Sequence, residues 1–517
     1  MTTLSLSLKP VSTIKALSAK TLLPYIVLLL VGTFILSFRL NTYPAVWFDE
    51  GYKLNAVRTL SETTVYGTYT VNGYIPFDPG ISSGPVDLIP IAVVFRLFGA
   101  GVIQARLVSM VFTLIAILAF YHLARLLYGE RAALPITCIA ISVPALGSTG
   151  FLLIGRQILG EPAALACTLV GLWLWFRSWK TGQWGLTIAA GVVIGLGMLS
   201  KTQVAIALFP AVLATAFFRW LKYRQHFLKL MTPPFLILAI FGLWMLIGAL
   251  NTPADIRQEN SILLMAAIQT NLLTPLPGRE VQNAFWIIVA IMGVAASASF
   301  AAAFRGQKSE RLHSVEQWSE LSLGLFLISY IVWFAFLSIG WPRYAYVGLI
   351  VALLPIGKLI WDTAQFVSHR LQLNQTRTYP AFIGGLCVLA IFTNLYPAYK
   401  TAPTNDVQQV AQYIDANIPA DAVIETWEWE IDALSDHWQF HHPNQRYLFQ
   451  AIRQFAYERG EFDLDYNVLQ ADPDYLITGG FSTWTGLYPA ADIEAYFTPL
   501  TTFGPYTIYQ RKNKTIS

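Results

Sequence analysis

Charge is scarce in this sequence. Of its 517 residues only 12% are Asp, Glu, Lys or Arg, against 55% hydrophobic, and the mean hydropathy is +0.50. Ordinary soluble domains carry about twice that share of charge, so the composition excludes a soluble globular protein and points to an integral membrane protein. Cysteine is scarcer still. Cys138, Cys167 and Cys387 all fall inside apolar runs, where they read as small core residues without metal-ligand spacing or a disulfide framework, and this argues against redox chemistry. Internal repeats and low-complexity tracts are absent too. The net charge of +4 is small and uneven: Lys and Arg sit between the apolar runs, while Asp and Glu gather after about Lys400. Such a pattern reports membrane topology and gives no nucleic-acid partner.

What the sequence has in abundance is long apolar runs. About 20 apolar residues cross a bilayer, and eleven runs qualify as candidate spans: 21–38, 103–127, 132–153, 162–179, 184–199, 204–218, 234–250, 285–304, 321–338, 346–361 and 381–395. A twelfth, 86–98, is short. If it lies in the outer interface, the basic segments "RWLKYRQHFLK" (219–229), "RGQKSERLH" (305–313) and "SHRLQLNQTR" (368–377) share one side with Lys9, Lys15 and Lys20. That side is the cytoplasm, and the chain is expected to be a multi-pass plasma- or inner-membrane protein with a cytoplasmic amino terminus. No small-residue cleavage site follows Phe38, so the first run reads as an uncleaved span. The expected fold class is a polytopic α-helical membrane protein of about eleven spans (1–398), with interfacial helices in its first outer loop. A small extracytoplasmic α/β domain (399–517) follows.

Outside, the first loop opens with "VWFDEGYKL" (46–54), which sets Asp49 and Glu50 among Trp47, Phe48 and Tyr52. In a helix starting there, Tyr52, Ala56 and Leu60 form an apolar stripe suited to the membrane surface. Asp49 would complement the helix dipole and pair with Lys53 at i, i+4; at the mouth of a helix bundle it would also suit a base. "GRQILGEP" (155–162) forces Arg156 and Glu161 to the edge of the hydrocarbon, where ionisable groups are costly. Glu161 before Pro162 equally reads as a helix start. Lys201 in "LSKTQ" is explained by snorkelling or by a site role. Arg343 in "GWPRYAY" runs against the positive-inside bias and could clamp a phosphate with two parallel N–H groups, or anchor an aromatic belt. Farther on, His437 and His441 in "DHWQFHH" are read as a polar surface patch more than a metal site, and Trp427 and Trp429 alternating with Glu428 and Glu430 as a strand with one buried face.

These features together resemble a known family. "WFDEGY", "GPVDLIPIAVVFRLFGAGVIQARLVS" (84–109), "YHLARLLYGERAAL", "GRQILGEP" and "WPRYAYVGLIVALLP" are similar, in order and placement, to the polyprenyl-phosphate-dependent glycosyltransferases of the GT-C superfamily. Within it they resemble the protein mannosyltransferase and aminoarabinose-transferase branch, Rgt-type enzymes included. The resemblance covers roughly the first 400 residues. It implies that Asp49 is catalytic and that the outer-face Arg residues meet a lipid phosphate. Where many relatives carry His or Lys before a Pro-Pro pair, this chain has "SSGPVD" (82–87), and no outer loop between spans contains His. That argues against a His-bound metal in the main cavity and leaves a divalent cation of another kind open.

A sugar on a polyprenyl phosphate already has a good leaving group, so the enzyme needs a base for the acceptor and cations for the phosphate. The expected set is Asp49 as base, Glu50 or Glu161 orienting acceptor or sugar, and Arg343, Arg156 and Lys201 on the phosphate. The acceptor could be a lipid, glycan or protein. A polysaccharide polymerase or ligase is the rival enzyme, and a transporter the rival from another class, although transporters concentrate ionisable groups at the midplane and use repeats.

Overall fold

The computed structural model describes residues 19–144, 149–224, 226–274, 283–305, 314–456 and 464–512. Lys9, Lys15 and residues 306–313 lie outside them. The chain begins with α1 (Ala19–Ser37), then α2 (Phe48–Thr63), the hairpin β1 (Gly67–Thr70) and β2 (Gly73–Pro76), and α3 (Pro85–Phe98). The membrane bundle continues with α4 (Val102–Tyr128), α5 (Glu130–Ser142), the single turn α6 (Phe151–Ile154), α7 (Glu161–Thr181), α8 (Trp184–Ser200), α9 (Thr202–Tyr223) and α10 (Phe227–Asn251). α11 (Ala254–Ala267) runs into a π-helical turn, Ile268–Leu272. After it come α12 (Asn283–Phe304), α13 (Val315–Phe336), the 3-10 turn Pro342–Ala345, α14 (Tyr346–Arg370) and α15 (Gln375–Lys400). Among the described residues seven helices are long and apolar enough to cross a membrane, and two more apolar helices, Thr21–Ser37 and Trp184–Ser200, are shorter.

Each of the eleven apolar runs contains a helix, with one correction. The run 132–153 is not one span: α5 stops at Ser142 because Pro144 disfavours a helical conformation at Val143, which is extended at φ −66°, ψ 123°. The short run 86–98 is α3, whose 14 residues span about 21 Å, less than a bilayer core. Its Ile89, Val93 and Leu97 are exposed at i, i+4 and i+8, while Leu88, Ile91 and Phe95 are buried. α3 therefore carries the membrane-facing stripe that the sequence suggested for α2. In α2, by contrast, Tyr52 and Ala56 are buried, in one apolar cluster with Trp427 and Trp429 of the carboxyl-terminal region.

That region is a small α/β unit. α16 (Asp406–Asn417), β3 (Ile424–Thr426), α17 (Trp429–Asp432), β4 (Phe440–His441), α18 (Gln445–Ala456), β5 (Tyr475–Thr478), α19 (Gly480–Thr485), α20 (Ala490–Tyr496), β6 (Phe497–Phe503) and β7 (Tyr506–Arg511) follow in order. The sheet order is β4-β3-β5-β7-β6, parallel over the first three strands and antiparallel over the rest. Two sequence readings change here. β3 ends at Thr426, before the Trp-Glu alternation, and Trp427, Glu428, Trp429 and Glu430 are all buried. His437 and His441 are buried as well, His437 on the Ala422 carbonyl at 2.8 Å and His441 on Glu425 at 2.5 Å. α2 covers α17 and the hairpin's Val71 N–H meets the Phe440 carbonyl, while the Glu425 carboxylate that holds His441 is enclosed by the Tyr466 and Tyr488 hydroxyls at 2.7 and 2.9 Å. Asn55 donates to Asp432 at 2.6 Å, and Arg58 to the carbonyls of Asp432 and Ser435 at 2.9 and 2.7 Å. Gly51 sits so close to α17 that an added Cβ would fall 2.1 Å from the Glu430 nitrogen.

Candidate active site

α2 starts where Trp47 is extended (φ −144°, ψ 172°), and Asp49 and Glu50 occupy its first turn, where carboxylates favour the helix dipole. The two acids then diverge. Asp49 faces a cavity of about 390 Å³ lined by Trp47, Lys53, Lys201, Arg343 and Tyr344, among others. Glu50 points away into the bundle: its two oxygens accept Arg106 Nε and Nη2 at 3.0 and 2.6 Å, and the Ile158 N–H donates to it at 3.1 Å. Glu50 and Arg106 are both fully buried, so Glu50 does not reach the cavity where it was expected.

Arg343 Nη1 donates to Asp49 Oδ2 from the 3-10 turn after Trp341. Its guanidinium carbon lies 5.0 Å from the Trp47 ring and 5.6 Å from the Tyr344 ring, and its Nε is 3.9 Å from Glu161 Oε1. Glu161 opens α7 behind the cavity wall, and Lys201 Nζ stands 3.1 Å from the same oxygen. Gly160, at φ +77°, makes the turn that brings this carboxylate in. Lys53 Nζ donates to the main-chain carbonyl of Asp49 at 2.9 Å, not to its carboxylate. Arg156 lies elsewhere. It is buried, donates to the Phe38 carbonyl and covers the Tyr43 ring at 5.8 Å, tying the 155–162 turn to the end of α1.

Electrostatics in the cavity follow from burial and crowding. Burial raises the Asp49 pKa, but Arg343, Lys53 and Lys201 outweigh it and hold the carboxyl below its ordinary value. Burial pushes Lys53 down to about 8, although Asp49 opposes the shift. Asp87, fully buried at the start of α3, is raised by burial to about 7. Lys53, Lys201 and Arg343 gather beside Asp49 and Glu161, and the raised pKa of Asp87 reduces the negative charge it adds, an arrangement that favours an incoming anion. Among the described residues no three His, Cys, Asp or Glu side chains are grouped to hold a metal ion. The sequence reading assigned Lys53 only a pairing role with Asp49 and singled out no role for Asp87. Lys53 had a signal in its i+4 spacing from Asp49, whereas Asp87 is distinguished only by where α3 docks.

The arrangement of α2, α3 and the long helices has counterparts among solved structures. ArnT from Cupriavidus metallidurans, in a crystal structure bound to undecaprenyl phosphate, superposes with a TM-score of 0.60 at 15% identity, covering 95% of this chain and 97% of that one. The chain has the fold of this membrane enzyme. The oligosaccharyltransferase AglB from Archaeoglobus fulgidus, in complex with an inhibitory peptide and a dolichol-phosphate, gives a TM-score of 0.53 at 14% identity, covering 96% of this chain and 75% of AglB. Residues 82–250, from the start of α3 to the end of α10, match the dolichyl-phosphate-mannose-protein mannosyltransferase family. Among curated proteins none matches the sequence. The shared fold thus covers the helical bundle, and the matched stretch carries Asp87, Glu161 and Lys201.

Proposed function

We propose that this chain transfers a sugar from a polyprenyl-phosphate donor to an acceptor hydroxyl at the outer face of the cell membrane, with inversion at the anomeric carbon. The observation that carries the reading is one carboxylate, Asp49, set among Arg343, Lys53 and Lys201 where helix ends meet an interfacial helix. The bound polyprenyl phosphates of the ArnT and AglB structures support the same donor class. Residues 1–398 hold the donor and 399–517 form the roof of the site on the extracytoplasmic side.

In the reaction the acceptor oxygen attacks the anomeric carbon as its proton passes to Asp49. The bond from that carbon to the phosphate oxygen breaks with its electron pair, and polyprenyl phosphate departs. Negative charge grows on the phosphate as this happens, so cations already in place stabilise the transition state more than the ground state. Arg343 and Lys201 supply that charge together with Lys53, and Glu161 holds Lys201 and Arg343 in position. A transporter is disfavoured because these charges sit at helix ends, Asp49 at the start of α2, Glu161 at the start of α7 and Lys201 just after α8, and not in mid-helix. The direct test is incubation of purified protein with a panel of polyprenyl-phosphate sugars and a mixture of acceptors, reading release of free polyprenyl phosphate. Release with at least one donor supports the reading, and none across the panel overturns it.

A further inference from the structure

The cavity has a second wall that the transfer chemistry leaves unused. α18 presents Gln445, Leu448, Ile452 and Phe455, spaced along one helical face, and α19 adds Phe481 and Trp484. Phe455 and Trp484 remain 39% exposed, with ring centroids 5.5 Å apart. The ring of Trp341 is 6.4 Å from Phe455 and 5.8 Å from Tyr344, beside Arg343. A run of aromatic faces therefore leads from the phosphate end of the site to Trp484. The wall is braced. Glu428 accepts the Phe481 and Ser482 N–H groups at 3.2 and 2.8 Å, which fixes the start of α19. Arg453 donates to Thr270 Oγ1 and Gln269 Oε1 at 3.1 and 2.9 Å, which fixes α18 against the π-helical turn.

We propose that this wall is the acceptor subsite and that the acceptor it receives is a saccharide, an inference that rests on placing the donor phosphate at Arg343. Aromatic rings present flat apolar faces to the C–H faces of a pyranose. The amides of Gln445 and Asn271, which also line the cavity, each offer a donor and an acceptor to the hydroxyls at its edge. Large exposed aromatics mixed with amides make a carbohydrate surface more than a lipid tunnel. A peptide acceptor fits less well. Extended peptides are commonly held by adding to a strand edge, and no cavity-lining residue belongs to any strand of the sheet β4-β3-β5-β7-β6.

Saturation-transfer NMR on the full-length protein in detergent tests this, with mannobiose and cellotriose as saccharide probes and a Ser/Thr-rich peptide as the competing class. Binding of undecaprenyl phosphate is measured in parallel. The parent should bind at least one saccharide at millimolar concentration. Trp484→Ala and Phe455→Ala should each weaken it about tenfold, and Trp484→Phe, which keeps a ring, should retain most of it. Undecaprenyl phosphate affinity should stay unchanged in all three. Saccharide binding that is absent in the parent or indifferent to both alanine variants overturns the proposal, as does peptide binding that depends on Trp484. Failure of the parent to bind undecaprenyl phosphate while saccharide binding persists would instead remove the donor reading.

Discussion

Arg343 and Asp49, 294 residues apart in sequence, form an ion pair at the edge of the cavity, so the proposed base and the proposed phosphate ligand hold each other. This pairing keeps the Asp49 carboxyl below its ordinary pKa, which makes it a weak base while the guanidinium stays on it. On the proposed reading a donor phosphate would compete for the same N–H groups; as it took them, Asp49 would lose its counter-charge and become a stronger base, which would couple donor binding to activation of the acceptor.

Asp49→Asn should separate the two events. The amide keeps the side-chain shape but cannot take a proton, so turnover should fall by about 10²- to 10⁴-fold. Donor-lipid binding should be equal to the parent's or tighter, because Arg343 no longer has a carboxylate partner. Turnover near the parent's on a confirmed donor would return Asp49 to the role of a helix-start acid.

At Arg343 the geometry of the cation matters as well as its charge. A guanidinium gives a phosphate two parallel donors where an ammonium acts as a point charge. Arg343→Lys should therefore keep measurable activity and Arg343→Ala very little, with donor binding weakened in both. An alanine variant that binds and turns over the donor like the parent would make Arg343 an interfacial anchor only.

Lys53 should give the site an alkaline limit. Its pKa is lowered to about 8 by burial, so the ammonium is charged below that pH and neutral above it. Donor affinity should be steady up to about pH 7 and fall as pH rises through about 8. A guanidinium stays charged across this range, so in Lys53→Arg the fall should disappear. A donor-affinity profile that is flat to pH 9.5 in the parent would show that Lys53 does not face the phosphate.

Much of this architecture was legible in the sequence because apolar runs and turn residues act locally. The eleven runs each hold a helix, and Asp49 and Arg343 stood out by placement against aromatics and against the charge bias. Other features depend on docking between distant segments. Glu50 and Asp49 are adjacent, and only Arg106 on α4 decides that one turns inward. The buried Trp427 to Glu430 segment reads as a half-exposed strand until α2 is laid across it. Arg156 looked like a phosphate ligand because it sits at the hydrocarbon edge, and the carbonyl of Phe38 claims it instead.

Topology is the next expectation. Basic segments 219–229 and 368–377 fall on the same side of the bundle under the positive-inside rule, with the α/β unit opposite. In intact cells a cysteine at Arg224 should resist an impermeant thiol reagent and one at Ala416 should react; both positions are exposed. The reverse labelling would move the cavity to the cytoplasmic side and exclude an outer-face transfer.

The buried pair Glu50–Arg106 separates a structural role from a catalytic one. Both side chains are fully buried, and two N–H groups of Arg106 and the Ile158 N–H meet the Glu50 carboxylate. Removing one partner of such a pair leaves a buried charge uncompensated and typically costs about 3–5 kcal/mol, whereas replacing both by apolar groups of similar volume is often neutral or better. Glu50→Gln should therefore lower thermal stability in detergent markedly, and the double variant Glu50→Leu/Arg106→Met should recover most of the loss. Turnover per folded molecule should stay near the parent's in both. If Glu50 instead oriented acceptor or sugar, Glu50→Gln would reduce turnover at unchanged stability, and the double variant would be as inactive as the single one. The second pattern would require Glu50 to leave Arg106 during the reaction, and with it a movement of α2 relative to α4.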